Sequence, residues 1–144
     1  MRHFKADNQY VVVLQKGEDL HQSLSQFAKE ADLAAAWLQG LGAALELEIG
    51  YYDLEAKAYK WKQFQGSYEI TGMQGNIVGG NNGQPLFHIH GTFSDTECRA
   101  YGGHVHKLIV GGTCEILVRP LDAELSRQTD EFTGLNLLCQ TPEH

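Results

Sequence analysis

The sequence predicts an α+β fold: a mostly antiparallel β-sheet carrying one principal helix. Glycine is frequent, 16 of 144 residues. It gathers in turn signals such as Gly79-Gly80-Asn81-Asn82-Gly83 and Gly111-Gly112, which separate short apolar runs in the manner of a mainly β domain. Leu45, Leu47, Ile49 and Tyr51 alternate with Glu46 and Glu48, so apolar and acidic side chains occupy opposite faces of a strand. One segment carries clear helical periodicity instead.

In chain order, Tyr10 to Gln15 is a short β-branched run that reads as a buried strand. The helix follows from about Asp19 to Ala31. Asp19 is placed to cap its free amides, with Gln22 three residues on in capping-box spacing. Leu20, Leu24, Phe27, Ala28 and Ala31 form one apolar stripe, so the helix lies against the sheet. Ala34 to Leu38 reads as either a helix extension or a short strand. Beyond Tyr51, Ala58 to Phe64 sets Tyr59 and Trp61 on one face and Lys60 and Lys62 on the other. Further strands are expected at Gly66 to Val78, Leu86 to Phe93, His104 to Val110, Thr113 to Arg119 and Gly134 to Leu138. Pro120 ends its strand because proline donates no ladder hydrogen bond.

The composition bounds the function. A chain of 144 residues reads as a single domain, residues 1–144, with a core of about 10–139. Eleven Lys+Arg against 18 Asp+Glu leave a formal charge of −7, which opposes coating nucleic acid by charge alone. The N-terminal MRHFKADNQY lacks the apolar stretch of a secretion signal, and no run approaches membrane-spanning length. Cys98, Cys114 and Cys139 are an odd set without CxxC spacing, as expected of reduced, mostly buried thiols in a cytoplasmic protein. There is no nucleophile triad, P-loop or dinucleotide fingerprint: Gly75-Asn76-Ile77-Val78-Gly79-Gly80 lacks GxGxxG spacing.

The histidines carry the chemistry. Two His-x-His pairs, His88-Ile89-His90 and His104-Val105-His106, lie close in sequence. Strand residues two apart share a face with Cα atoms roughly 6.5–7 Å apart. That spacing lets two imidazoles converge on one ion at about 2.0–2.1 Å. If the two strands pair or meet across a subunit interface, three or four imidazoles surround one site. Imidazole suits zinc, iron, copper and nickel, so ligand type leaves the metal open. Glu97 reads as a further ligand, a general base or a solvated surface carboxylate, and His3, His21 and His144 as ungrouped surface residues. A cupin motif places a glutamate three or four residues after HxH, whereas here six residues separate His90 from Glu97.

A series of motifs spans nearly the whole chain. Gly17-Glu18-Asp19-Leu20 opens the helix, and Gly40-Leu41-Gly42-Ala43-Ala44 precedes a strand. Then come Tyr51-Tyr52-Asp53, Tyr68-Glu69-Ile70-Thr71-Gly72-Met73-Gln74-Gly75-Asn76-Ile77, Pro85-Leu86-Phe87-His88-Ile89-His90-Gly91, Gly102-Gly103-His104 and Thr113-Cys114-Glu115-Ile116. In this order they resemble the Plants and Prokaryotes Conserved (PPC) domain in a free-standing prokaryotic form.

The resemblance implies an antiparallel sheet with helix, assembled as a homotrimer. It also implies a metal site, commonly zinc, on His88, His90 and His104. His106 falls outside that pattern, as an extra ligand, a group supporting the ligands, or a surface residue. The family also carries a DNA-binding label, which comes from plant members with an Arg-Gly-Arg-Pro-like AT-hook. This sequence contains no such segment, and its arginines, Arg2, Arg99, Arg119 and Arg127, are scattered. Lys57, Lys60 and Lys62, with Tyr59 and Trp61, form its one basic–aromatic cluster. Such a cluster suits phosphate contact and base stacking, but an amphipathic strand accounts for it better. The resemblance thus orders the functions: a metal-binding trimer first, a DNA-binding or transcription-associated protein as the alternative, and an assembly protein tied together by zinc as a third.

Overall fold

A computed structural model describes residues 1–80 and 83–140; His144, expected at the surface, lies outside the described residues. The elements run β1 (Arg2–Ala6), β2 (Gln9–Gln15), α1 (Leu20–Glu30), β3 (Ala35–Asp53), β4 (Ala58–Gly79), β5 (Pro85–Ser94), β6 (Ala100–Pro120), β7 (Leu125–Thr129) and β8 (Asn136–Gln140). Six strands form an antiparallel sheet in the order β1-β2-β6-β3-β4-β5, and β5 also pairs with β6. Strands β3, β4, β5 and β6 therefore close a ring. The β7–β8 hairpin forms a separate two-stranded sheet.

Long bent strands replace several of the short ones expected from sequence. Ala34 to Leu38 resolves as the start of β3. The segments at Ala58 and Gly66 merge into β4, and those at His104 and Thr113 merge into β6. Gly111-Gly112, read as a turn, lies within β6. A Cβ on Gly111 would meet the Ala44 backbone at 2.9 Å, so glycine here permits close strand approach where β3 and β6 shift register. Gly102 and Gly103 also belong to β6.

Helix α1 forms as its capping residues dictate. The Asp19 side chain accepts from the Gln22 amide at 2.9 Å, supplying one of the partners that the first turn lacks. Leu20, Leu24, Phe27 and Ala28 are buried and join Val12, Leu14, Ile116 and Val118 in one core cluster with Ile89, Phe93, Val105 and Leu108. The sheet thus buries one set of alternating side chains beneath α1 and leaves the other free to carry a site. Among the described residues, no helix is long and apolar enough to cross a membrane.

Two surface expectations need correction. His21 packs edge-on against Phe87, with centroids 5.4 Å apart, and burial lowers its pKa. The thiols are all free, as expected, but Cys98 is exposed while Cys114 is buried and Cys139 intermediate. His3 does lie at the surface, beside Glu30 at 3.3 Å.

Candidate metal centre

Strand period and register assemble the histidines. His88 and His90 project from the same face of β5, and His90 lies directly opposite His104 on β6. One ligand atom from each of His88, His90 and His104 lies within 4.8 Å of the other two. The Nε2 atoms of His88 and His90 are 3.1 Å apart, near the ~3.3 Å edge of a tetrahedron with metal–nitrogen distances of about 2.0–2.1 Å. Ring centroids are separated by 4.9 Å for His88–His90, 5.3 Å for His88–His104 and 5.5 Å for His90–His104.

The electrostatics favour neutral imidazoles. Burial pushes the His104 pKa down to about 4, and proximity to His88 and His90 adds to the shift. Burial also lowers the pKa of His88, reinforced by Arg127 and His90, and that of His90. Neutral imidazole is the metal-ligating form. Nδ1 of His104 is buried without a hydrogen-bond partner, so one ring nitrogen of this cluster has no protein acceptor to satisfy it. Three nitrogen donors around one point fit a divalent transition-metal ion with a coordination position left over.

The other expected residues lie apart from this trio. His106 is 3.6 Å from the Glu48 carboxylate and packs on Trp61 with centroids 4.6 Å apart. Glu97 pairs with Arg99 at 3.1 Å in the β5–β6 turn. Lys57 donates to the Glu131 carbonyl at 2.7 Å, Lys60 pairs with Asp53 at 2.6 Å, and Lys62 lies over Phe64 at 5.1 Å. Two of these three lysines are thus already engaged with acceptors.

Three surroundings of the site were not placed beside the histidines by sequence. Tyr59 and Trp61 stack with centroids 4.5 Å apart and lean on His104 at 5.0 and 6.1 Å. Their alternation with lysines gave only their face, whereas their contact with His104 depends on register across β4, β3 and β6. Gly50 is the residue they cross. Asn76, buried on β4, lies opposite His88 and accepts a hydrogen bond from Arg127 of β7. Arg127 belongs to no local motif, so long-range folding alone brings it here. An open groove of about 510 Å³, lined by Gln39, Gln74, Gly91 and Gly102 among others, reaches His90 from outside.

Comparison with known proteins agrees with this architecture. The structure superposes on that of a candidate DNA-binding protein from Bacteroides thetaiotaomicron with a TM-score of 0.89, at 29% identity and covering 96% of each chain. It also superposes on a metal-containing protein from Archaeoglobus fulgidus with a TM-score of 0.84, at 34% identity, covering 95% of this chain and 96% of that one. Among curated proteins, the chain is 28% identical over 128 residues to the bifunctional protein GlmU of Synechococcus sp. (strain JA-3-3Ab). The match takes in 87% of this chain but spans only 19% of that protein's length. Residues 1–122 match the model of the Plants and Prokaryotes Conserved (PCC) domain. With the expected motif order and this fold in agreement, the chain belongs to the Plants and Prokaryotes Conserved domain family.

Proposed function

We propose that His88, His90 and His104 bind one divalent metal ion, zinc in the first instance, in a homotrimer of single-domain chains. The observation that carries this reading is the convergence of one ligand atom from each histidine within 4.8 Å. The low His104 pKa, about 4, supports it, because ligation then requires little displacement of protons near neutral pH. The metal-containing relative from Archaeoglobus fulgidus supports it independently. A metal held by three neutral donors polarises a bound oxygen or lowers the pKa of a bound water. Glu97 and His106 lie apart from the trio, so the proposal gives neither a ligand role.

Exposed apolar side chains support self-association. Trp37, Leu41 and Leu117 are 43%, 56% and 37% exposed on adjoining strands β3 and β6. Register places Leu117 opposite Gln39, between Trp37 and Leu41 on the same face. Neighbouring exposed apolar side chains of this kind suit an interaction surface.

The second reading is DNA binding, favoured by the label of the Bacteroides relative. The −7 net charge and the engagement of Lys57 and Lys60 weigh against it. Metal analysis of protein purified without a polyhistidine tag tests the primary reading. About one divalent ion per chain, lost in the His88→Ala, His90→Ala double variant, is expected. Substoichiometric metal unchanged by that variant would refute it.

A further inference from the structure

Arg127 lies outside the histidine trio and beyond residues 1–122, where the family match ends. Its Nη1 donates to the Asn136 carbonyl at 2.9 Å, and its Nη2 donates to Oδ1 of Asn76. Asn76 and His88 are directly opposed on β4 and β5. Opposed residues share a sheet face with Cβ atoms about 4.5–5.5 Å apart. The guanidinium is therefore delivered to the His88 side of the cluster.

The charge at this place is unbalanced. Arg127 is half-buried, its Nε is buried without a partner, and no aspartate or glutamate among the described residues forms an ion pair with it. Buried charges ordinarily have partners of opposite sign. The metal-ligating trio contains no carboxylate either. A divalent ion on three neutral imidazoles beside a guanidinium gives a strongly positive locus that favours an anion. The stacked Tyr59 and Trp61 rings supply an apolar wall against His104.

We propose that Arg127 binds the carboxylate of a small organic acid that occupies the histidine site, with Tyr59 and Trp61 packing against its body. This rests on the three-histidine metal reading. Only one N–H of each Nη is engaged by the protein, which leaves donors along the planar guanidinium edge. A planar carboxylate matches that edge. Asn76 is a positioning residue, since it holds the guanidinium rather than the acid.

The test uses full-length protein loaded with Co²⁺, whose visible spectrum reports ligand exchange, and titrates it with acetate, acetamide or inorganic phosphate. Metal content is measured on every sample. Acetate should perturb the spectrum saturably and acetamide should not. Arg127→Gln should retain stoichiometric Co²⁺ but weaken acetate binding by about 10- to 100-fold, the loss expected for a charge-assisted hydrogen bond. Arg127→Lys, which keeps the charge and loses the planar fork, should show an intermediate loss. It decides the matter if Arg127→Gln does not fold.

Equal acetate affinity in metal-loaded wild type and variant would overturn the Arg127 assignment while leaving the metal reading intact. No saturable acetate response in metal-loaded wild type, or a response to phosphate alone, would overturn the carboxylate assignment. Failure of the wild type to bind Co²⁺ would instead overturn the underlying metal reading.

Discussion

Trp61 reaches the His104 ring, with centroids 6.1 Å apart, by crossing Gly50. In register, Gly50 pairs with His104 on one side and with Trp61 on the other. A Cβ on Gly50 would lie 2.5 Å from the Trp61 ring and 2.9 Å from the Tyr59 ring. The absent side chain thus lets an aromatic wall close over one edge of the histidine cluster. The backbone requirement arises from close approach rather than from a turn.

Gly50→Ala should displace that wall. Overpacking of this kind costs about 1–3 kcal/mol, read as a lower urea midpoint with unchanged slope. Metal affinity should fall as His104 loses its packing. An unchanged midpoint and affinity would show that the wall does not position His104.

A second prediction concerns the β5–β6 turn. Asp95 accepts from the Glu97 and Arg99 amides, from Arg99 Nε at 2.8 Å and from the Tyr101 hydroxyl at 3.1 Å. Burial raises its pKa, but Arg99, the amides and Tyr101 prevail and hold it at about 2, below the ordinary 3.8. Its stabilising contribution is present above pH 3.8 and is lost as pH falls from 3.8 towards 2. Asp95→Asn should lower the melting temperature at pH 6 and flatten the acid limb over that interval. Parallel wild-type and variant profiles would exclude this role.

The thiols should divide by burial. Burial, with Glu115 adding, pushes the Cys114 thiol up to about 12, whereas Cys98 is exposed. Iodoacetamide at pH 8 should alkylate Cys98 in the folded protein and Cys114 only after denaturation, as located by peptide mass spectrometry. Prompt native labelling of Cys114 would contradict the packing of β6 against the core.

Self-association should depend on the apolar face of β3. Leu41 is 56% exposed and lies opposite Glu115 on β6. Leu41→Lys should convert a trimer to monomers by light scattering while leaving the far-ultraviolet spectrum intact. A wild-type monomer at micromolar concentration would remove the trimer from the account.

What was legible in the sequence follows from the range of the interactions involved. Asp19, Leu24 and Phe27 announce α1 because capping and 3.6-residue periodicity act within a few turns. His88-Ile89-His90 declares a shared face because strand period is local, and Gly102-Gly103-His104 marks the third histidine through family resemblance. The join between these motifs depends on the β5–β6 register, which no local pattern contains. Gly111-Gly112 misled because a glycine that admits the Ala44 backbone looks the same as one that makes a turn. Strand β1 escaped notice because every residue of Arg2–Ala6 is exposed, leaving no alternation to detect. Arg127 reaches Asn76 only through a hairpin that follows the main sheet, so its place at the site emerges from tertiary structure alone.

X-ray absorption at the zinc edge of the zinc-loaded, untagged protein tests the central claim most directly. Three histidines should give an imidazole scattering pattern, with zinc–nitrogen distances of about 2.0–2.1 Å and a further light-atom ligand. Removing His88 and His90 together should abolish that pattern. A sulfur shell near ~2.3 Å, or a spectrum identical to that of hydrated zinc, would contradict it.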